Sequence, residues 1–139
     1  MKIKTIKLFC IITLLFLASC TPEEKNNKAT NPLTGTKWAT SYADYYMVIE
    51  FTSENQVQGY FAKGSSLTYH NGLTNGSYSV SGSNVTFNNF DIIWNAFGSR
   101  SHYKPQTGTF SGSIMQTKGQ SSIYSDNNWH SWDETWNKQ

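Results

Sequence analysis

Apolar and polar residues alternate along much of the chain after residue 33, which is the pattern of β-strands with one buried face. The clearest run covers Tyr45–Phe51. Its odd-numbered positions, Tyr45, Met47, Ile49 and Phe51, share one face and are all apolar or aromatic. This run therefore predicts a strand that turns those four side chains toward a core.

Tight turns separate the other short β-rich runs. Ser-Gly-Ser occurs at residues 81–83 and again at residues 111–113, each time between two runs that contain apolar residues at alternate positions. Asn71-Gly72 is a strong hairpin signal, because both residues tolerate the positive φ angles of a two-residue turn. Further strands are predicted at Trp38 and at residues 56–61, 66–70, 76–80, 84–88, 107–110 and 114–117.

About eight strands joined by such turns predict an all-β domain with an antiparallel meander, closed into a barrel or sandwich. The last segment is ambiguous. Trp129, Trp132 and Trp136 have helical spacing, whereas Trp132, Glu134 and Trp136 would alternate on a strand. A closed barrel needs a final strand, so the strand is the favoured prediction.

The first twenty residues have the layout of a secretory signal peptide. Lys2, Lys4 and Lys7 precede an apolar run at residues 8–18, and small residues come just before Cys20. A basic start, a short apolar run and small residues at the cut are typical of such signals. The run is shorter than the roughly 20 residues of a membrane-spanning helix.

Leu-Ala-Ser-Cys at residues 17–20 resembles the lipobox of bacterial lipoproteins. The resemblance implies cleavage before Cys20 and acylation of that residue, so that residues 1–19 are the signal and several acyl chains hold the protein in a membrane. An ordinary cleaved signal with a coincidental cysteine is the alternative. Residues 20–32 are polar and predict a flexible tether.

The tether also bears on localisation. Glu23-Glu24 resembles the acidic surface-export signal of Bacteroidetes lipoproteins, and a bland linker is the alternative. Thr21 stands where an aspartate would indicate retention at the inner membrane in the enterobacterial pattern. We therefore expect a lipid-anchored protein of the outer membrane, with exposure at the cell surface if the acidic pair is a signal.

Charge and cysteine content exclude several classes of function. Without residues 1–19, eight basic residues face nine acidic ones, a formal net charge of −1. Such a chain has no basic surface that would favour nucleic acid as a partner. Cys20 would be the one remaining cysteine and is used by lipid, so neither a disulfide nor a cysteine metal site is expected.

Residues 33–139 have the length of one domain, and most of residues 33–115 resembles a known family. The matching segments are Leu-Thr-Gly-Thr-Lys-Trp at 33–38, Ile-Glu-Phe-Thr-Ser at 49–53, residues 76–87 and residues 108–115. In this order they resemble the lipocalin-like lipoproteins of Bacteroidetes. The resemblance implies a lipocalin-like meander barrel of about eight strands.

Motifs for catalysis or metal binding are not recognisable. His70, His102 and His130 lie far apart, without a second ligand at the spacing of a zinc site. Asp133 and Glu134 are adjacent and would point to opposite faces of a strand. We therefore expect no enzyme, no metal and no cofactor, although His102 beside Arg100 and an acid would favour catalysis.

The aromatic residues remain as candidates for binding. One hypothesis is a barrel that binds a small apolar or amphipathic ligand in its mouth, lined by Trp38, Tyr45, Met47, Tyr60, Trp94 and Tyr103. The alternative is a surface protein that contacts a glycan or an envelope protein through Trp129, Trp132 and Trp136. Packing in the core would explain many of these rings equally well. The sequence does not identify the ligand or the oligomeric state.

Overall fold

The computed structural model describes residues 30–96, 99–122 and 128–139. The predicted signal peptide, Cys20 and the first part of the tether lie outside these residues. Among the described residues, no helix has the length and hydropathy of a membrane span. The nine strands are β1 (Lys37–Tyr42), β2 (Tyr45–Phe51), β3 (Gln56–Lys63), β4 (Thr68–Ser81), β5 (Asn84–Asn88), β6 (Ile92–Ala96), β7 (Ser99–Ser111), β8 (Ile114–Ser122) and β9 (His130–Lys138).

The strands form one closed antiparallel sheet in meander order. β1 pairs with β2 and also with β9, so the first and last strands of the chain lie side by side and the sheet closes. β5 and β6 both pair with β7, β5 at residues 107–109 and β6 at residues 99–103. They therefore share one position in the wall, and the nine strands make an eight-stranded barrel. The predicted all-β meander barrel of about eight strands is confirmed.

The predicted hairpin at Asn71-Gly72 is wrong. β4 continues from Thr68 to Ser81 without a turn, and Asn71 pairs with Phe61 of β3. The register between β3 and β4 shifts near this point, and Gly72 has φ of +74°. The positive φ that favours Asn-Gly in a turn is thus used in a β-bulge, which bends a long strand around a barrel. The two Ser-Gly turns are confirmed at residues 82–83 and 112–113.

Large side chains fill the interior of the barrel. The alternate positions predicted on β2 do face inward, and Met47, Ile49 and Phe51 are almost fully buried. The largest side chains below 2% exposure are Trp38, Trp136, Phe51, Phe61, Leu33, Met47, Ile49, Ile92 and Met115. They belong to one continuous core with Tyr78, Phe87, Phe90 and Tyr103. Burial of this apolar surface is the main term that stabilises the fold.

The two ends of the barrel differ. At one end, Leu33 is buried and the turn around it is fixed to the sheet, with the Gly35 amide donating to the Phe51 carbonyl at 2.7 Å. We call this the tether end, because the chain enters the barrel there. The opposite end contains the β1–β2 turn and the Gly64 turn that follows β3, and rings gather inside it. We call it the aromatic end and define it by Tyr42, Tyr45, Phe61, His70 and Trp94.

The C-terminal segment is a strand, as favoured by the sequence. β9 lies between β8 and β1, with Met115 opposite Trp136 and Ala39 opposite Asn137. Trp132 and Trp136 pack against the core from the same face of β9. Helical spacing of the tryptophans is therefore coincidental, and the segment closes the barrel.

Candidate functional site

Three of the six predicted ligand-lining residues are part of the packed core. Trp38 and Met47 are 1% exposed, and Tyr103 is 4% exposed. The indole Nε1 of Trp38 donates to Thr36 Oγ1 at 2.9 Å, which satisfies its one polar group. These side chains contact other side chains of the core, so they are not open to a ligand in this conformation.

Tyr60 lies on the other side of the wall. Its ring belongs to a small outer cluster with Ala39, Val48, Ala62 and Leu67, on the outward faces of β1, β2 and β3 and the turn that follows. The prediction that Tyr60 lines the barrel mouth is therefore wrong. Along β3, Val57 and Phe61 face the core and Tyr60 lies between them on the opposite face, so its side chain points outward.

The structure brings Tyr45 and Trp94 together at the aromatic end. Their ring centroids are 4.8 Å apart, and Trp94 also contacts Phe61 at 4.7 Å. His70 adds a third ring, 4.8 Å from Tyr45 and 6.1 Å from Trp94, and is itself exposed. Tyr45 and Trp94 are only partly buried, so rings that belong to the core on one side reach solvent on the other.

One hydrogen bond and several ring contacts connect the aromatic end to the core. The Tyr103 hydroxyl donates to the Tyr42 hydroxyl at 2.6 Å, and the two rings meet edge-on at 5.5 Å. Tyr103 also contacts Trp132 at 5.5 Å, and Trp132 contacts Trp136 at 6.1 Å. These contacts form a continuous set of rings from the aromatic end to the centre of the core, and they hold the side chains of the aromatic end in position.

The three C-terminal tryptophans occupy different environments. Trp136 is fully buried, and its Nε1 donates to Thr117 Oγ1 at 2.8 Å. Trp132 is half-buried. Only Trp129 of the three is exposed, at 38%, with Lys104 Nζ 4.0 Å from its ring centroid. A surface formed by all three rings is therefore wrong: Trp136 stabilises the core, and Trp129 alone presents its indole at the surface.

A notch interrupts the barrel wall where β5 ends and β6 begins. The last residue of β5 that pairs with β7 lies opposite Thr107. The first residue of β6 that pairs with β7 lies opposite Tyr103. Residues 104–106 of β7 therefore have neither β5 nor β6 beside them. A cavity of about 450 Å³ occupies this position and is lined by Phe87, Asn89, Phe90, Asp91, Lys104, Pro105 and Gln106. Proline suits this place in a strand because it has no N–H to offer a neighbour.

A second cavity, of about 440 Å³, is a groove on the outer face of β5, β7, β8 and β9. Exposed lining residues alternate with inward-facing ones along each strand, which shows that the groove lies outside the barrel. Its exposed residues are Asn84, Thr86, Thr107, Thr109, Gln116, Lys118, Asp133 and Thr135. None of the six predicted ligand-lining residues lines this groove or the notch.

Glu134 faces inward, opposite in direction to its neighbour Asp133. Its Oε1 accepts a hydrogen bond from Thr40 Oγ1 at 2.9 Å, across the β9–β1 seam where the barrel closes. The sequence predicted that these two adjacent carboxylates point to opposite faces, and the exposed one is Asp133. The inward carboxylate therefore has a structural partner and joins the first strand to the last.

His102 pairs with an acid on the outer wall. Its Nδ1 lies 2.6 Å from Asp91 Oδ2, and its ring meets that of Trp129 edge-on at 6.0 Å. Arg100 precedes it on the same face of β7. His70 lies at the aromatic end and His130 begins β9, so the three histidines are not brought together. Among residues 30–96, 99–122 and 128–139, no three His, Cys, Asp or Glu side chains gather in a metal site.

The outer face of β1–β3 contains a polar network. Glu50 Oε2 lies 3.4 Å from Lys37 Nζ and accepts hydrogen bonds from Gln58 Nε2 and the Tyr60 hydroxyl. The neighbouring Tyr60 hydroxyl raises the pKa of Lys37, and burial raises the pKa of Tyr60 above its ordinary value. Because each group has a partner in register on an adjacent strand, the network is best explained as support for the sheet.

The sequence did not identify the notch or the groove. Pro105, two residues before the predicted strand at residues 107–110, is one signal for a break in the wall, and Asn89 and Asp91 between two apolar runs are a second one. The groove has a weaker signal, since alternate Thr, Asn and Gln residues also describe an ordinary solvated face of a sheet. The concave shape that distinguishes them arises only from the curvature of the wall.

Comparisons with known proteins found no matching family model, no matching curated protein and no matching solved structure.

Proposed function

We propose that this chain is a lipid-anchored envelope lipoprotein, akin to the lipocalin-like lipoproteins of Bacteroidetes, that binds a small apolar or amphipathic ligand without catalysis. The binding surface is the aromatic end of the barrel. The observation that carries the proposal is the group formed by Tyr45, Trp94 and His70, whose rings lie within 4.8–6.1 Å of each other and reach solvent.

The chemistry of this rim suits an amphipathic ligand. Trp94 and Tyr45 supply flat apolar faces, and they rest on Phe61 and Tyr42 of the core. His70 and the tyrosine hydroxyl provide polar atoms at the edge of the same surface. Ligand sites commonly combine an apolar lining with a few polar groups that fix orientation.

The packed interior favours ligand binding at the aromatic end over binding deep inside the barrel. On the core side of the aromatic end, Phe61 and Tyr103 are 0% and 4% exposed. A ligand at the centre would have to displace such side chains, at the cost of their packing. The aromatic end therefore offers contact area without opening the core.

The direction of the barrel agrees with an anchor at Cys20. The chain enters at the tether end, through Thr30 and the turn that buries Leu33. The aromatic end is opposite. An acylated Cys20 would therefore connect the membrane to the end of the barrel opposite the binding rings.

The anchor is tested on the full chain expressed in a Bacteroidetes host. We expect mass spectrometry of the N-terminal peptide to show acyl chains on Cys20, and Cys20→Ser to leave the chain without acyl groups and with residues 1–19 still attached. Surface exposure is tested with protease on intact cells, and Glu23→Ala combined with Glu24→Ala should reduce it. An N-terminal peptide whose Cys20 bears no acyl chain would contradict the lipid anchor.

Ligand binding is tested with the fluorescent amphiphile 1-anilinonaphthalene-8-sulfonate and the purified full chain in detergent-free nanodiscs. We expect saturable binding that Trp94→Ala weakens by about fivefold, because stacking on that ring contributes about 1 kcal/mol. Trp129→Ala is the matched control, since it removes an exposed indole elsewhere. Equal effects of the two variants, with both still folded, would exclude the aromatic end as the site.

A further inference from the structure

The groove and the notch adjoin on the outer wall of β5, β7, β8 and β9. Thr86 of the groove is followed in the chain by Phe87 of the notch, and Gln106 of the notch is followed by Thr107 of the groove. The two cavities, of about 440 and 450 Å³, are therefore neighbours along two strands. We call this continuous surface the outer cleft.

The polar groups of the outer cleft are mostly uncharged and both donate and accept hydrogen bonds. In the groove they are threonine hydroxyls and the amides of Asn84 and Gln116, and in the notch they are the amides of Asn89 and Gln106. Amides and hydroxyls of this kind can each engage a ligand hydroxyl as donor or acceptor. A surface with such groups at regular intervals matches a ligand with many hydroxyls.

An exposed indole stands beside the notch. Lys104 lines the notch, and its Nζ lies 4.0 Å from the centroid of Trp129, which is 38% exposed. His102 contacts the same indole edge-on and is paired with Asp91, another residue of the notch. These contacts fix the orientation of Trp129, so that its free face offers a preformed apolar platform to the CH groups of a sugar ring.

The charges of the outer cleft do not favour an ionic ligand. Lys104 and Lys118 are accompanied by Asp91 and Asp133, and Lys118 lies directly opposite Asp133 in the pairing of β8 with β9. Without an excess of positive charge, the surface has no electrostatic preference for a polyanion. β5, β7 and β8 each have strand neighbours on both sides over the groove, so an extended peptide has no free edge to pair with on these three strands.

From these features we infer that the outer cleft binds a neutral oligosaccharide, with Trp129 as the stacking residue and the groove as a hydrogen-bonding track. This site is separate from the aromatic end and does not depend on it. The combined length of groove and notch fits several sugar units better than one, because each cavity alone has a volume in the range of a small-molecule site.

The test uses the full mature chain in nanodiscs and a panel of neutral hexasaccharides: cellohexaose, maltohexaose, mannohexaose, xylohexaose and chitohexaose. We expect at least one to bind with a Kd of about 1 mM or lower in isothermal titration calorimetry. Trp129→Ala and Gln116→Ala, which change opposite parts of the outer cleft, should each weaken that binding at least about fivefold. Both residues are exposed, so the variants should keep the melting temperature of the parent.

Tyr69→Ala is the matched control, because Tyr69 is a more exposed ring, at 56%, outside the cleft. It should leave oligosaccharide binding unchanged. Trp94→Ala should do the same while it weakens amphiphile binding, which separates this site from the aromatic end. Amphiphile binding that Trp94→Ala leaves unchanged, with sugar binding intact, would contradict only the proposed function of the aromatic end. Absence of binding by the whole panel, stronger binding of heparin than of any neutral sugar, or an equal effect of Tyr69→Ala would overturn the inference.

Discussion

Trp136 and Thr117 form a buried hydrogen bond inside the barrel, with the indole Nε1 2.8 Å from the threonine Oγ1. The two residues lie on the neighbouring strands β9 and β8, and both are almost inaccessible to solvent, at 0% and 1%. The hydrogen bond allows a tryptophan in the last strand to enter the core with its one polar group satisfied. The final strand is thereby held to the strand before it.

Removing either member of this pair should destabilise the barrel. Trp136→Ala leaves a large cavity and should lower the free energy of unfolding by about 3–5 kcal/mol. Thr117→Val keeps the shape but leaves a buried N–H without an acceptor, which costs about 1–3 kcal/mol. Urea denaturation measures both values. Thr135→Val, on the exposed face next to Trp136, is the control and should change stability by less than about 0.5 kcal/mol.

Two glycines make room for Phe90, which enters the core where β5 gives way to β6. A Cβ at Gly59 would lie 2.7 Å from Phe90 Cζ, and a Cβ at Gly76 would lie 2.6 Å from Phe90 Cβ. Gly59→Ala and Gly76→Ala should each cost about 1–3 kcal/mol through overcrowding. Thermal and urea unfolding test this, with Ser79→Ala on the exposed face of β4 as control. Wild-type stability in both glycine variants would show that Phe90 can move aside.

The bulge at Gly72 is open to a sharper test. Gly72 has φ of +74°, and a Cβ there would fall 1.8 Å from the carbonyl oxygen of Ile93. Gly72→Ala must therefore both strain the backbone and push β6 away, and it should cost more than about 3 kcal/mol. Gly82 has φ of +60° and no atom within 4 Å of its Cβ position. A substitution there therefore measures the cost of backbone strain without a steric clash. Gly82→Ala should cost about 1–2 kcal/mol, and equal costs for the two variants would contradict the close approach of β4 and β6.

Stability should decrease at alkaline pH. The Tyr60 hydroxyl raises the pKa of Lys37 above its ordinary value of 10.5, and burial raises the pKa values of Tyr60 and Tyr78 above 10.0. A group with a higher pKa in the folded chain binds its proton more tightly there, so its contribution is complete below about pH 10 and is lost as the pH rises through the folded-state pKa.

Unfolding in urea between pH 8 and pH 11.5 measures this effect. The parent should lose stability above about pH 10, and Tyr60→Phe combined with Tyr78→Phe should lose less over the same range, because neither ring then has a proton to lose. Tyr69→Phe, which changes an exposed tyrosine, is the control and should follow the parent. A double variant with the full alkaline loss would mean that other groups determine it.

Local patterns in the sequence were sufficient for the strands that alternate cleanly. Tyr45–Phe51 was predicted with its correct bounds and inward face, and both Ser-Gly turns were predicted where they occur. The reason is that the side-chain period of a strand and the φ preference of glycine act over a few residues. Asn71-Gly72 had the same local signal, but its pairing with β3 and its contact with β6 determined a bulge instead.

The candidate sites were harder to predict than the fold. Tyr45 and Trp94 were identified from the sequence and do meet at the aromatic end. Tyr60 was assigned to the barrel mouth, although the alternation along β3 places it on the face opposite Val57 and Phe61, which belong to the core. Asp91 and Lys104 were not identified as residues of one site. They line the same cavity only because β5 and β6 pair with successive parts of β7 and leave a gap between them.

The sequence by itself determined the class of the fold and the order of most strands. These follow from periodicity and turn residues, which are local properties. The lipid-anchored envelope protein stays a prediction, which the resemblance to the lipobox implies. The tertiary structure alone decided that Trp136 is core and Trp129 is surface, because burial depends on which strands close the barrel. It also decided that the outer wall contains a groove and a notch. The curvature of the wall arises from bulges and from close contacts at glycines, and the notch arises because β5 and β6 both pair with β7.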